Sequence, residues 1–263
     1  MKTKIIFFGN GPLADNTLSV IKDHFDIIFH ARTKEDLEIV KKLKAENPEA
    51  KGVLASFGVM IKSDVLDIFE PEGILNIHPS KLPLYRGASP IESAILNEEE
   101  TFSVSIMKLV KAMDAGPIYY QETITPDNLN RPDLKSYLYK ILSGTGANWL
   151  IKNLNNLPTP TNQDNEKATF TTKFDKSMSI LTPKTDTAKQ TLRKIQAFQD
   201  FPKAKYTFYG QNCIILAAHI LEQGETALLP IECQDGQILS IDSLQPEGKR
   251  PMDTKSFLNG YKK

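Results

Sequence analysis

Cysteine is nearly absent from this 263-residue chain, which holds only Cys213 and Cys233. Two thiols so spaced make neither a disulfide scaffold nor a metal-ligand pattern, so a reduced, cytoplasmic setting is expected. No apolar run approaches the ~18 residues that suggest a membrane-spanning helix. The apolar stretch Ile5-Ile6-Phe7-Phe8 stops at Gly9, which is too short for the core of a secretion signal, and it reads as a buried first strand. Histidine is scarce as well. His24, His30 and His219 stand alone, so structural or exposed roles are expected for them and no metal is implied. Net charge is missing too: 32 basic residues balance 32 acidic ones, which says nothing for or against an anionic partner.

What is present is ordinary globular composition, with 40% hydrophobic and 24% charged residues. The first half alternates short apolar runs (4–9, 25–30, 52–57, 73–78, 102–109, 117–125) with helical patterns (13–23, 33–46, 63–69, 90–96, 132–154). That alternation predicts an α/β domain with a doubly wound, mainly parallel sheet over about 1–156. Residues 157–173 have linker chemistry, rich in Asn, Thr and Pro with little apolar periodicity. Beyond them, 187–198 reads as an amphipathic helix with Ala188, Leu192, Ile195 and Phe198 on one face. Strand patterns follow at 205–209, 213–219, 227–233 and 238–244, so 174–263 is expected to be a small, OB-like β-barrel domain. Between Lys173 and Lys205 eight basic residues face three acidic ones, either a solvated surface or an anion-facing one. Lys189 and Arg193, four apart, are expected to share an exposed side of the helix.

The densest chemistry lies in Asn76-Ile77-His78-Pro79-Ser80-Lys81-Leu82-Pro83-Leu84-Tyr85-Arg86-Gly87. Asn76 and His78 are two apart in a strand and so share a face. They sit at its carboxyl end, where open α/β sheets bind ligands. An Asn amide can donate to an oxyanion and a His can move a proton near neutrality, a pair suited to an amine attacking a carbonyl. The same residues at a strand end also serve merely to satisfy loop backbone. An acidic partner would orient the imidazole. Asp114, in Met113-Asp114-Ala115-Gly116-Pro117, competes for that role with Asp64 and Asp67 on local sequence alone. A Gly9-Asn10-Gly11-Pro12-Leu13-Ala14 turn fits a dinucleotide pattern, but the acidic residue such a site needs after the second strand is replaced by His30-Ala31-Arg32.

The run from Asn76 to Pro83, with Tyr85-Arg86-Gly87-Ala88-Ser89-Pro90 and Met113 to Pro117, resembles the 10-formyltetrahydrofolate-dependent formyltransferases. The resemblance extends over nearly the whole chain. It is strongest at 54–117 and weaker at 187–258, where Ile195 to Pro202 and Leu244 to Met252 are similar to the tRNA-acting branch. It implies that Asn76, His78 and Asp114 form a catalytic trio. It also implies that Leu54, Gly58 and Met60, with Ser80, Lys81, Leu82 and Pro83, form the folate side, Lys81 replacing a Leu of the family. The implied reaction is formylation of the amino group of methionyl-tRNA, with charged initiator tRNA as acceptor, 10-formyltetrahydrofolate as donor and no metal. Arg86, Lys189 and Arg193 are the expected acceptor contacts, and a monomer away from membranes is expected. The branch's long basic loop after the second strand is missing here, leaving Arg32 and Lys34 to substitute. An amino-sugar N-formyltransferase acting on a nucleotide sugar is the alternative within the family. Glycinamide formyltransferases lack a second domain, and a silent RNA-binding protein on this scaffold would be expected to have lost Asn76, His78 or Asp114.

Overall fold

In the computed structural model, which describes residues 1–171 and 173–261, the chain forms two compact units. The first gathers Met1–Pro90, Thr101–Thr125 and Ser136–Thr171; the second gathers Ile91–Glu100, Pro126–Lys135 and the chain beyond Thr171.

The first half runs β1 (Lys4–Gly9), α1 (Pro12–Ile21), β2 (Asp26–Ala31), α2 (Asp36–Glu46), β3 (Lys51–Ala55), α3 (Ser63–Leu66), β4 (Ile74–His78), α4 (Pro90–Leu96), β5 (Phe102–Lys108), β6 (Ile118–Ile124) and α5 (Leu134–Asn153). The sheet order is β2-β1-β3-β4-β5-β6. The first four strands are parallel, while β5 and β6 turn antiparallel at one side. Continuous apolar strands belong in a sheet covered on both faces. Accordingly, Ile5 to Phe8 of β1 are wholly buried, and every residue of β4 is buried or nearly so. One cluster joins Ile6, Phe8, Leu54, Phe57, Val65, Phe69 and Ile74. α1 opens on Pro12 directly after the Gly9-Asn10-Gly11 turn. His30 closes that turn through its Nε2, 2.9 Å from the Gly9 carbonyl, a structural use of the residue that stands where a dinucleotide site would carry an acid.

The second unit contains α6 (Ala188–Ala197), β7 (Lys205–Phe208), β8 (Gln211–Ile220), β9 (Pro230–Glu232), β10 (Ile238–Pro246), β11 (Met252–Asp253) and α7 (Thr254–Tyr261). Thr187 and Gln190 close a capping box that starts α6. The helix packs Leu192 and Ile195 toward β8 and β10. The strands form an antiparallel sheet ordered β11-β10-β8-β7, with β9 added beside β10. Among the described residues no pairing joins β7 to β11, so the expected barrel is an open half-barrel.

Arg193 corrects the sequence reading. It is 2% exposed, inside the second unit, not on an outward face of α6. Its Nη1 donates to the Leu129 carbonyl at 2.5 Å and to Gln196 Oε1 at 2.9 Å. Gln196 in turn donates to the carbonyls of Leu129 and Arg131 at 3.0 and 2.9 Å. The buried pair satisfies an irregular segment that no helix or strand serves. Burial pushes the Arg193 guanidinium below its ordinary value, against the opposing pull of Glu98 and Glu100. Arg193→Met should therefore cost about 2–3 kcal/mol of stability by stranding buried acceptors, read as a lower urea midpoint. Unchanged unfolding would show that the guanidinium has no structural role.

Candidate active site

β4 delivers Asn76 and His78 to the sheet's carboxyl edge, each only 4% exposed. Cross-strand register places Leu54 of β3 beside Asn76. It also sets His78 opposite Ser105 of β5, and Ser105 opposite Gln121 of β6. Paired residues share a face, so His78, Ser105 and Gln121 form one row. Ser105 uses that position to build the loop after β4. Its Oγ donates to the Ser80 carbonyl at 2.6 Å and accepts from Leu82 N at 3.2 Å. Gln121 Nε2 donates to both Ser105 Oγ and the Leu82 carbonyl. Ser80 Oγ donates to the Leu84 carbonyl at 2.7 Å, closing the loop on itself.

The loop then orients the imidazole. His78 Nε2 lies 3.0 Å from the Tyr85 carbonyl. A carbonyl only accepts, so Nε2 carries the hydrogen and Nδ1 is the nitrogen left for substrate chemistry. Nδ1 faces Asp114 Oδ2 at 3.7 Å, too long for a direct hydrogen bond. Asp114 Oδ2 is itself held by the Gly87 amide at 2.8 Å. Among the described residues, Asp114 is the acid that stands within 4 Å of the His78 ring. Asp64 is engaged with Lys41 at 2.5 Å.

The outer side of the loop rests on the segment whose composition reads as a linker. Thr169 N donates to the Pro83 carbonyl, Arg86 N to the Thr169 carbonyl and Thr171 N to the Arg86 carbonyl. Thr169 Oγ1 accepts from Tyr85 N at 2.9 Å. Gly87 has φ 122, and a Cβ there would lie 2.3 Å from Thr171 Oγ1, so the contact needs glycine. Arg86 is also turned inward, 5% exposed, with Nε and Nη2 on Gln163 Oε1 at 3.1 and 2.7 Å and Nη2 on Asn165 Oδ1 at 2.7 Å. Its guanidinium joins the site loop to the 163–165 segment.

Of the expected folate-side residues, Leu54 lies in the apolar cluster beside β4, while Ser80 and Leu82 are buried within the loop. Gly58 takes a positive φ of 69 in the segment after β3, which also presents Met60 at 78% exposure. Lys81 is exposed and Pro83 half-buried. Lys189 is half-buried on α6, with Glu98 3.3 Å away. Lys173, Lys176, Lys184, Lys203 and Lys205 are all exposed. Arg32 and Lys34 are exposed in the short turn from β2 to α2.

Gln121, Ser105, Thr169 and Gln163 were invisible to periodicity because each acts on backbone groups of a distant loop. The one available signal was the alternation of Ser103 and Ser105 inside an otherwise apolar strand.

A family model described as formyl transferase matches residues 12–151, and one for the formyl transferase C-terminal domain matches 173–262. The chain is 34% identical over 245 residues to a methionyl-tRNA formyltransferase of Roseiflexus sp. (strain RS-1), covering 88% of this chain and 73% of that protein. In fold it is similar to the methionyl-tRNA formyltransferase from Clostridium thermocellum, with TM-score 0.66 and 17% identity over 94% of this chain and 99% of that one. It is also similar to HypX from Aquifex aeolicus in complex with tetrahydrofolic acid, with TM-score 0.73 and 16% identity over all of this chain and 48% of that one.

Proposed function

The chain belongs to the formyl transferase family, and on that premise we propose that it moves a formyl group from 10-formyltetrahydrofolate to the amino group of methionyl-tRNA. The observation that carries the reading is Asp114 beside His78 at the end of the strand that also carries Asn76, inside a chain both of whose halves match the family.

The donor supplies an electrophilic formyl carbon. Asn76 provides an amide donor for the negative charge that develops on the formyl oxygen as the amine adds. His78, held by the Tyr85 carbonyl, places a cationic Nδ1–H on the same side. Asp114 sustains that charge and takes up the proton the amine must lose, directly or through one water. As the tetrahedral adduct collapses, the bond from the formyl carbon to the donor nitrogen breaks and that nitrogen leaves carrying the proton. The loop needs no reorganisation to do this, since Ser105, Gln121 and Thr169 already fix it. Leu54, Gly58 and Met60, with the Ser80 to Pro83 turn, would hold the pteridine side of the donor. No metal enters this scheme.

Offering the purified protein 10-formyltetrahydrofolate with charged initiator tRNA, nucleotide amino-sugars and glycinamide ribotide tests the assignment. Formylation of methionyl-tRNA alone is expected; turnover only with a nucleotide amino-sugar would replace the reading. Lys81 gives a finer check. Its side chain is exposed while the loop's shape is set by backbone bonds and by Ser80. Lys81→Leu should change the binding of a folate analogue by less than about threefold, measured by titration calorimetry. A loss beyond roughly 2 kcal/mol would reveal a direct charged contact.

A further inference from the structure

We propose that Gln163 is a positioning residue of this reaction: its side-chain amide sets the loop that carries Asp114 and so fixes that carboxylate against His78. The inference rests on the catalytic reading of Asn76, His78 and Asp114 above.

Both ends of the Gln163 amide are occupied. Nε2 donates to the Asp114 carbonyl at 2.8 Å and to the Gly116 carbonyl at 2.7 Å. Oε1 accepts from Arg86 Nε and Nη2. The amide orientation is therefore forced, because a flip would set its NH₂ against the guanidinium and its oxygen against two carbonyls. Asp114 needs such a clamp. Its φ is +46, a left-handed conformation that a residue with a side chain adopts only when its surroundings dictate it. Gly116 narrows the loop further, since a Cβ there would lie 1.8 Å from the Lys108 carbonyl oxygen. Two hydrogen bonds from one side chain thus brace the carbonyls flanking Ala115 and hold the turn onto β5. The carboxylate is then aimed from two sides, by the Gly87 amide and by the turn that Gln163 carries. Arg86 connects these two supports, since its backbone adjoins Gly87 while its guanidinium holds Gln163.

Gln163→Met keeps the length of the side chain and removes both donors. Loss of about an ångström of precision at a reacting group can cost about 10²-fold. The variant should lose 10- to 100-fold in kcat, with the KM values for donor and acceptor within about twofold of wild type. In an Asp114→Asn background the same change should cost less than about twofold, because its effect runs through that carboxylate. An equal loss in both backgrounds would mean a general loosening and overturn the proposal. Gln163→Glu is a second variant of the same shape. It keeps the acceptor for Arg86 but turns an oxygen on the two carbonyls, and should reproduce the kcat loss.

A readout independent of turnover follows from the imidazole. The charged group facing His78 is Asp114, while Arg86 is turned onto Gln163 and Asn165. Moving the carboxylate away changes what faces the ring, so the NMR signals of the His78 imidazole should move in the same direction in Gln163→Met as in Asp114→Asn. The chain has four histidines, which keeps the assignment tractable. His78 ring signals unmoved in folded Gln163→Met would overturn the proposal. Ring signals that move, in a protein that formylates none of the acceptors, would uphold the positioning role and reject the reaction assigned to the site.

Discussion

Replacing His78 by alanine should lower kcat by about 10²–10⁴ and leave the protein folded. The size follows from the work assigned to the ring, which is to present a cation to the developing oxyanion and manage a proton. Retention of the fold follows from its place. His78 ends β4, beyond the apolar cluster, and its ring bonds to the Tyr85 carbonyl in a loop braced independently by Ser105, Gln121 and Thr169. Asp114→Asn should act on the same step with a similar loss, and the two changes together should cost little more than either alone, because each removes the same charged pair. Asn76→Ala should lower kcat by about 10²–10³, the usual scale for a lost oxyanion donor. Unfolding curves and single-turnover rates on the same preparations separate chemistry from stability. A folded His78→Ala variant with near-normal turnover would sink the mechanism.

The pairing of Asn76 with His78 was legible because its signal is local. Asn76 and His78 share one strand, and two-residue periodicity places them on one face without knowledge of the rest. Asp114 was not legible from spacing; only the family resemblance chose it over Asp64 and Asp67, since the pairing with His78 depends on where β5 returns. The alternation of strands and helices gave the sheet for the same local reason, as did the apolar stripe and cap of α6. Three things escaped. Residues 157–171 look like a linker because their bonds go to backbone atoms of the 83–87 and 114–116 loops, and such bonds leave no periodic trace in side-chain polarity. Arg193 looks exposed because helical spacing aligns it with Lys189, yet the segment at Leu129 supplies carbonyls that draw the guanidinium inward. β11 and α7 are short and only partly apolar, and Phe257 is buried by packing that no neighbour in sequence announces.

Between 50 and 200 mM salt, binding of methionyl-tRNA should weaken by about 10²–10³ if the cationic surface of the second unit neutralises about five phosphates, each contributing about 0.7–0.9 to the log–log slope. Five is the number of lysines between 173 and 205 that stand exposed: Lys173, Lys176, Lys184, Lys203 and Lys205. Arg193 must be left out of that sum, and Lys189 counts for less with Glu98 beside it. The useful variant is therefore Lys184→Glu with Lys205→Glu, two exposed positions away from the buried face of α6. It should raise the KM for methionyl-tRNA by at least tenfold and flatten the salt slope by about 1.4–1.8, the share of two phosphate contacts. The KM for the folate donor should stay within about twofold, since neither lysine belongs to the unit that carries His78 and Asp114. A nucleotide amino-sugar has only two phosphates, so as the true acceptor it would show a shallow slope and near indifference to the double change. Measured for whichever acceptor turns over, the salt series separates a polyanion spread across a surface from a small molecule held in a pocket. A flat response with methionyl-tRNA would remove the second unit's lysines from acceptor binding.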